Sequence, residues 1–408
     1  MKHIVTITAV CVALAGPAAA RDAETQATVP QMVIAATGIA PTSRPSDAGE
    51  LVSAEAITHL DPVLASVAGR ADRMTYRSRS LNGSPVVVSG VFLTPKGQPP
   101  KHRWPIVSWG HGSSGISDNC APSTITNKGG KIDLYGYGSF IAELLKAGYA
   151  VVATDYEGLG TPGIHPYIIA DSEGRSMIDA VRAAIHAEPA LSKSWFAVGH
   201  SQGGQAAIAA GELAETWGKG LDFRGTVGLA PVTNVGAAYS YGSPGPVDRG
   251  FYLLALQGLK TQDPSLRYDD YLGSEALQML PATANDCTMK IWEDFSANLG
   301  AKMPDFQFTP QSPAAALKLQ KLLDAQSVPR GLTPAPMLLL QGDQDPSIKI
   351  AVTQQAVQNA RFAGTTAQFR VYPGKDHYSV LATGAEGGAA TDVVKWLNRQ
   401  RLSVTPPL

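Results

Sequence analysis

The chain has 408 residues, 33 basic against 34 acidic, a formal net charge of −1, and only 16% charged residues. That balance provides no field to steer a nucleic acid or an anionic membrane, and the low charge density leaves much of the surface neutral polar or apolar. Residues 1–20 read as an export leader. Lys2 and His3 form its basic end, residues 4–16 are apolar but too short to span a bilayer, and Ala18-Ala19-Ala20 offers a small-residue cleavage site. The mature chain is therefore expected to be secreted or periplasmic. Residues 21–48, rich in Ala, Thr, Pro and Ser, read as a flexible arm, and residues 50–68 as holding a helix or two.

From there strands and helices alternate. Residues 74–81 and 86–93 alternate about Asn82-Gly83, a hairpin signal. Pro105-Ile106-Val107-Ser108-Trp109 reads as a buried strand running into Gly110-His111-Gly112-Ser113-Ser114-Gly115. Phe140, Ile141, Leu144 and Leu145 stripe a helix stopped at Gly148; residues 150–154 are a short strand; Met177, Val181, Ala184 and Ile185 stripe the next helix, which ends before Pro189. Trp195-Phe196-Ala197-Val198 is a strand, Gly199-His200-Ser201-Gln202-Gly203 a sharp turn, and the Ala-rich stretch after Gly204 a helix. A further strand covers residues 226–230.

Residues 232–335 then interrupt the pattern with aromatic-rich helical stretches marked by Phe251, Leu254 and Leu259, by Trp292, Phe295 and Leu299, and by Ser312-Pro313 as a helix start. A hundred residues between core strands cannot be bare loop. The segment is expected to be a cap supplying an apolar pocket; the alternative is an ordinary helical insertion whose aromatics form its own core. Met337-Leu338-Leu339-Leu340-Gln341 is again a buried strand, breaking into Gly342-Asp343-Gln344-Asp345-Pro346. Val352, Ala356, Val357 and Ala360 mark a helix, residues 367–372 a strand ahead of His377, and Val393, Val394, Trp396 and Leu397 the last helix. The alternation predicts a mostly parallel sheet with helices on both faces. Its core parts are residues 49–231 and 336–408, with the cap at 232–335 between them.

Strand, G-x-S-x-G turn and helix are the setting of a nucleophilic serine, with Ser201 above the positive end of the following helix. A serine hydroxyl needs a base. Of eight histidines, His377 is the one in a loop between a strand-like run and a helix, able to hang over the sheet end. The acid that orients it is expected at Asp345, with Asp343 as competitor; Asp376 is read as exposed. Oxyanion donors are expected from the Gln202 N–H and, in the Gly-rich loop, from Ser113, with Gly112 as alternative. That loop lacks the G-x-x-x-x-G-K-[ST] pattern of a phosphate cradle, and no two histidines stand at metal-ligand spacing on a helix. No cofactor and no metal are implied. Asp155 and Glu157 read as organisers of the neighbouring loop. A serine exopeptidase, an acyltransferase and a non-catalytic binding protein on the same scaffold remain as other readings.

Four stretches together resemble the secretory lipase family, the α/β-hydrolases that include fungal lipase A-type enzymes and bacterial relatives. They are Asn82-Gly83-Ser84-Pro85-Val86-Val87-Val88-Ser89-Gly90, Asn119-Cys120-Ala121-Pro122-Ser123, Asp155-Tyr156-Glu157-Gly158-Leu159-Gly160 with His165-Pro166-Tyr167 after it, and the Ser201 turn. The resemblance spans about residues 50–400. It implies an α/β-hydrolase fold and a hydrolase of carboxylic esters, lipid esters among them, with a cap able to touch a lipid interface transiently. It also implies that Cys120 pairs with a cap cysteine, which here is Cys287. The cysteine count agrees: loss of the leader leaves two cysteines, and an even pair in an exported chain favours a disulfide over two free thiols. His111-Gly112 departs from the acidic residue that some fungal members carry in the oxyanion loop.

Overall fold

Nine strands form one open sheet in the order β1-β2-β3-β5-β4-β6-β7-β8-β9. The computed structural model describes residues 44–238, 246–297, 303–384 and 388–402. The leader at 1–20, most of the arm at 21–48, and Leu299 of the expected cap stripe lie outside the described residues. Strands β1 (Leu51–Ala56), β2 (Ala68–Arg79) and β3 (Pro85–Pro95) are antiparallel, and β3 pairs antiparallel with β5 (Ala150–Thr154). Strands β4 (Trp104–Gly110), β6 (Leu191–His200), β7 (Asp222–Leu229), β8 (Met337–Gly342) and β9 (Ala367–Tyr372) continue the sheet from β5 in parallel.

The first of the expected helices at residues 50–68 is instead β1. Its sequence, Leu51-Val52-Ser53-Ala54-Glu55-Ala56, has no strong period of its own, and pairing with β2 decides its state. Only the second half is helical. In α1 (Pro62–Val67) the Asp61 carboxylate accepts the Val63 N–H at 2.9 Å and Pro62 opens the first turn. The hairpin forms where expected, with Ser80 to Ser84 as the connection between the last β2–β3 pair, Arg79 and Pro85.

Helices cover both sheet faces. On one side α1, α2 (Gly138–Lys146) and α12 (Ala389–Leu402) bury Leu64, Phe140, Leu144, Val393 and Trp396 against the strands. On the other, α3 (Ala170–Ala187), α4 (Gln202–Glu212) and α11 (Ile350–Phe362) bury Met177, Val181, Ile208 and Val357. Strands buried on both faces explain the continuous apolar runs in β4, β6 and β8. Between β7 and β8 lie α5 (Val235–Ala238), α6 (Pro246–Gln262), α7 (Ser274–Leu277), α8 (Leu280–Asn285), α9 (Thr288–Ala297) and α10 (Pro313–Asp324). These share an apolar cluster that includes Leu254, Leu259, Phe295 and Phe308 and takes in Ile116, Ile168 and Ile348 from the loops of the sheet. At α10, Ser312 accepts the Ala315 N–H at 3.1 Å and Pro313 takes the first position, as the sequence suggests.

The order of strands reverses around β4, which has β5 on one side and β6 on the other. The carboxyl ends of β4 and β6 therefore open onto the crevice where open α/β sheets hold their ligands.

Candidate active site

Ser201 stands between β6 and α4 with φ 56° and ψ −119°, a strained conformation for a residue with a side chain. The flanking glycines make it attainable. A Cβ on Gly199 would lie 2.0 Å from the Gly203 carbonyl oxygen, and one on Gly203 would lie 1.9 Å from that of Gly110. The turn is pinned by the Ser201 N–H donating to the Leu229 carbonyl at 2.9 Å. The N-terminal end of α4, where N–H groups lack intrahelical partners, starts at the very next residue.

Asp345 and His377 come together at the ends of β8 and β9. His377 Nδ1 and Asp345 Oδ2 are 2.8 Å apart. The remaining capacity of the carboxylate is filled by the Gln341 side chain at 2.6 Å and the N–H groups of Ser347 and Ile348 at 2.8 and 2.9 Å. Burial pushes the Asp345 carboxyl up, but His377 and these N–H donors outweigh it and bring it below the ordinary carboxylate value. Asp343 is exposed and accepts the Gly374 N–H at 2.7 Å instead. Asp376 is exposed too, and caps the N–H groups of Tyr378 and Ser379.

The loop after β4 lies against the serine: a Cβ on Gly112 would stand 3.4 Å from Ser201 Cβ. The Gly112 N–H is already taken by the Tyr137 hydroxyl at 3.0 Å. The Ser113 N–H has no acceptor among the described residues, while its hydroxyl meets Tyr167 Oη at 2.7 Å. The Tyr137 oxygen continues to His200 Nδ1 at 2.9 Å, and His200 Nε2 reaches the His377 carbonyl at 2.8 Å. A carbonyl only accepts, so Nε2 carries the proton and Nδ1 accepts from Tyr137. Burial, with His377 nearby, holds the His200 imidazole down to about 3, hence neutral. One chain of hydrogen bonds thus ties the loops carrying Gly112, Ser201 and His377.

Sequence reasoning placed His200 only as a flank of the turn and gave Tyr137 no role; their meeting across 63 residues has no local signal. Glu173 was missed likewise. It lies fully buried on α3 and accepts from the Gln202 side chain at 2.7 Å. Asp155 and Glu157 do brace their loop: Asp155 accepts from Ser89 and Ser123, and Glu157 from Ser80 and Ser172.

Ser201 and His377 open on one cavity of about 730 Å³. The insertion forms part of its wall through Phe251 of α6 and Met289 and Trp292 of α9. The Cys120–Cys287 disulfide joins the segment after the β4 loop to the start of α9, and the Thr288 N–H donates to the Ser114 carbonyl at 2.9 Å. No group of three or more metal-ligating side chains occurs among the described residues, and no described helix is long and apolar enough to cross a membrane.

The sequence profile of the secretory lipase family matches residues 131–407. No curated protein matches the chain. Among solved structures, Candida antarctica lipase A is similar at 17% identity over 90% of this chain and 86% of that one, with a TM-score of 0.72. The rice cell wall degrading esterase from Xanthomonas oryzae is similar at 19% identity over 87% of this chain and 97% of that one, with a TM-score of 0.65. At such identities the structural likeness speaks for the fold.

Proposed function

The chain belongs to the secretory lipase family and is a carboxylic ester hydrolase of the α/β-hydrolase fold, and from that premise we propose that it is exported and cleaves uncharged esters through Ser201, His377 and Asp345 by way of an acyl-enzyme. The observation that carries this reading is the 2.8 Å contact of His377 Nδ1 with Asp345, on the same cavity onto which the strained turn presents Ser201.

Asp345 accepts, so the proton of the neutral imidazole sits on Nδ1 and Nε2 keeps its lone pair. Nε2 takes the Ser201 proton as the hydroxyl attacks the ester carbonyl. Asp345 stabilises the imidazolium that results. The Gln202 and Ser113 N–H groups hold the oxyanion, which gains from the end of the α4 dipole. The alcohol leaves with the proton from Nε2, and a water activated in the same way releases the acid. Asp133 and Asp248 line the cavity, and among the described residues no Lys or Arg does. This polarity suits an uncharged substrate and repels the carboxylate product.

The domain division follows: a core in two parts, residues 49–231 and 336–408, and a cap at 232–335 that walls the acyl side and can meet a lipid interface. Purified enzyme is expected to hydrolyse neutral p-nitrophenyl esters, with a chain-length optimum set by the cap wall. Faster turnover of an amino-acyl arylamide than of the matched ester would contradict ester hydrolysis and favour an exopeptidase.

A further inference from the structure

Gln202 is the first residue of α4, and its side chain is held from below by a buried polar group. Its Nε2 lies 2.9 Å from His165 Nε2 and 2.7 Å from Glu173 Oε1. His165 Nδ1 is 2.8 Å from the Glu157 carbonyl, which only accepts; Nδ1 therefore carries the proton and Nε2 accepts. Both Gln202 amide hydrogens are then used, one on His165 and one on Glu173, and the opposite amide orientation would leave His165 facing an oxygen with a lone pair.

Glu173 is wholly buried. Its Oε1 also accepts the Ile168 N–H at 2.9 Å, and Oε2 has no partner among the described residues. No Lys or Arg pairs with it among the described residues. The titratable groups around it are His165 and Tyr156 from the loop after β5 and His111 from the loop after β4. Burial lowers both histidines, and Tyr156 is raised far above its ordinary value by burial and then by Glu173 itself. From α4 come only the amides of Gln202 and Gln205. Glu157 is engaged by Ser80 and Ser172. On its own helix Arg175 lies over the Trp217 ring and Asp171 pairs with Arg330. A carboxylate in that setting is an uncompensated buried charge.

We propose that Glu173 is a positioning residue for the oxyanion site: as a neutral acid it fixes Gln202, and on losing its proton it sets a negative charge beneath the N–H that stabilises the oxyanion. The proposal rests on the reading of Ser201 and Gln202 given above. The charge arises one glutamine side chain from the developing oxyanion, close enough at a protein-like dielectric to weaken catalysis by about tenfold. Burial pushes the Glu173 carboxyl up to about 8, which locates the change in the mildly alkaline range. The acyl-transfer rate would then fall on the alkaline side without any change in substrate binding.

The test is the pH dependence of kcat and KM for wild type and Glu173→Gln on a neutral p-nitrophenyl ester, with Ser201→Ala as blank. Wild-type kcat is expected to fall about tenfold through a limb near pH 8 with KM little changed. Glu173→Gln, which keeps an acceptor for Gln202 but has no proton to lose, is expected to retain activity at neutral pH and lack that limb. The same alkaline limb in both proteins, with Ser201→Ala inactive, overturns the role of Glu173 alone. An active Ser201→Ala overturns the parent reading and the proposal with it. Should Glu173→Gln fail to fold, carboxyl-¹³C titration of wild type labelled at glutamate decides. One glutamate titrating near pH 8 supports the proposal, and all titrating in the ordinary range overturns it.

Discussion

At the scale of single residues, the choice between Asp343 and Asp345 was the sharpest question the sequence left. The turn at Gly342 narrowed it to two carboxylates, and only the folded loop distinguishes them: Asp345 is buried on His377, and Asp343 is exposed on the Gly374 N–H. Asp345→Asn is expected to lower kcat by on the order of 10³-fold, because an amide opposite Nδ1 favours the wrong tautomer. Asp343→Asn should stay within a few-fold of wild type, since the exposed side chain keeps an oxygen to accept the Gly374 N–H and does not touch His377. Equal losses, or the reverse ranking, in ester-hydrolysis kinetics would overturn the assignment. The turns holding Ser201 and Asp345 were legible because each follows a strongly apolar strand, whereas His377 follows the half-exposed β9 and was singled out by its loop position among eight histidines. Tyr137, His200, His165 and Glu173 were not, because their partners are distant in sequence and only the packing of loops brings them together.

At the scale of elements, apolar runs identified the buried parallel strands and helical stripes the long helices, since burial on one or both faces leaves a period in the sequence. Leu51–Ala56 left no such period, because it is an edge strand with a mostly exposed burial pattern whose state comes from its neighbour. The insertion was legible as helical, but its attachment to the core rested on family resemblance. The disulfide supplies that attachment, and it fixes α9, whose Met289 and Trp292 line the cavity. Replacing Cys120 and Cys287 together by Ala is expected to destabilise the protein by about 2–5 kcal/mol, because a long loop is released in the unfolded chain. The KM for longer acyl chains should also rise as the cavity wall loosens. Unchanged denaturant midpoint and unchanged KM would contradict this role.

For the whole molecule, buried ionisable groups set how stability depends on pH. His165 and His200 are held neutral, down to about 3 from an ordinary 6.5, chiefly by burial. Unfolding lets them take protons, so the stability they contribute is complete above pH 6.5 and is lost as the pH falls toward 3. Glu173 works in the opposite sense. Raised by burial from 4.5 to about 8, its contribution is complete below pH 4.5 and is lost as the pH rises through 8. Between pH 6.5 and 4.5 three histidines, His111 among them, act against Glu173 and against Asp179, which burial raises from 3.8 to about 6, and Asp345, held below its ordinary value, adds to the histidines' side at lower pH. Calorimetry is expected to find Tm highest near pH 6.5 and falling on both sides. A Tm that climbs steadily as the pH drops to 4.5 would contradict the buried neutral histidines.

The proposed reaction turns on Ser201 at the β6–α4 turn as the nucleophile. Incubation of the folded protein with a fluorophosphonate, followed by peptide mass spectrometry and parallel assay of Ser201→Ala, tests it most directly. A single phosphonylated serine, Ser201, is expected. The Ser201→Ala variant is expected to keep the wild-type circular dichroism spectrum and Tm while losing activity by on the order of 10³-fold or more. Label on another serine, or near-wild-type ester hydrolysis by Ser201→Ala, would contradict it.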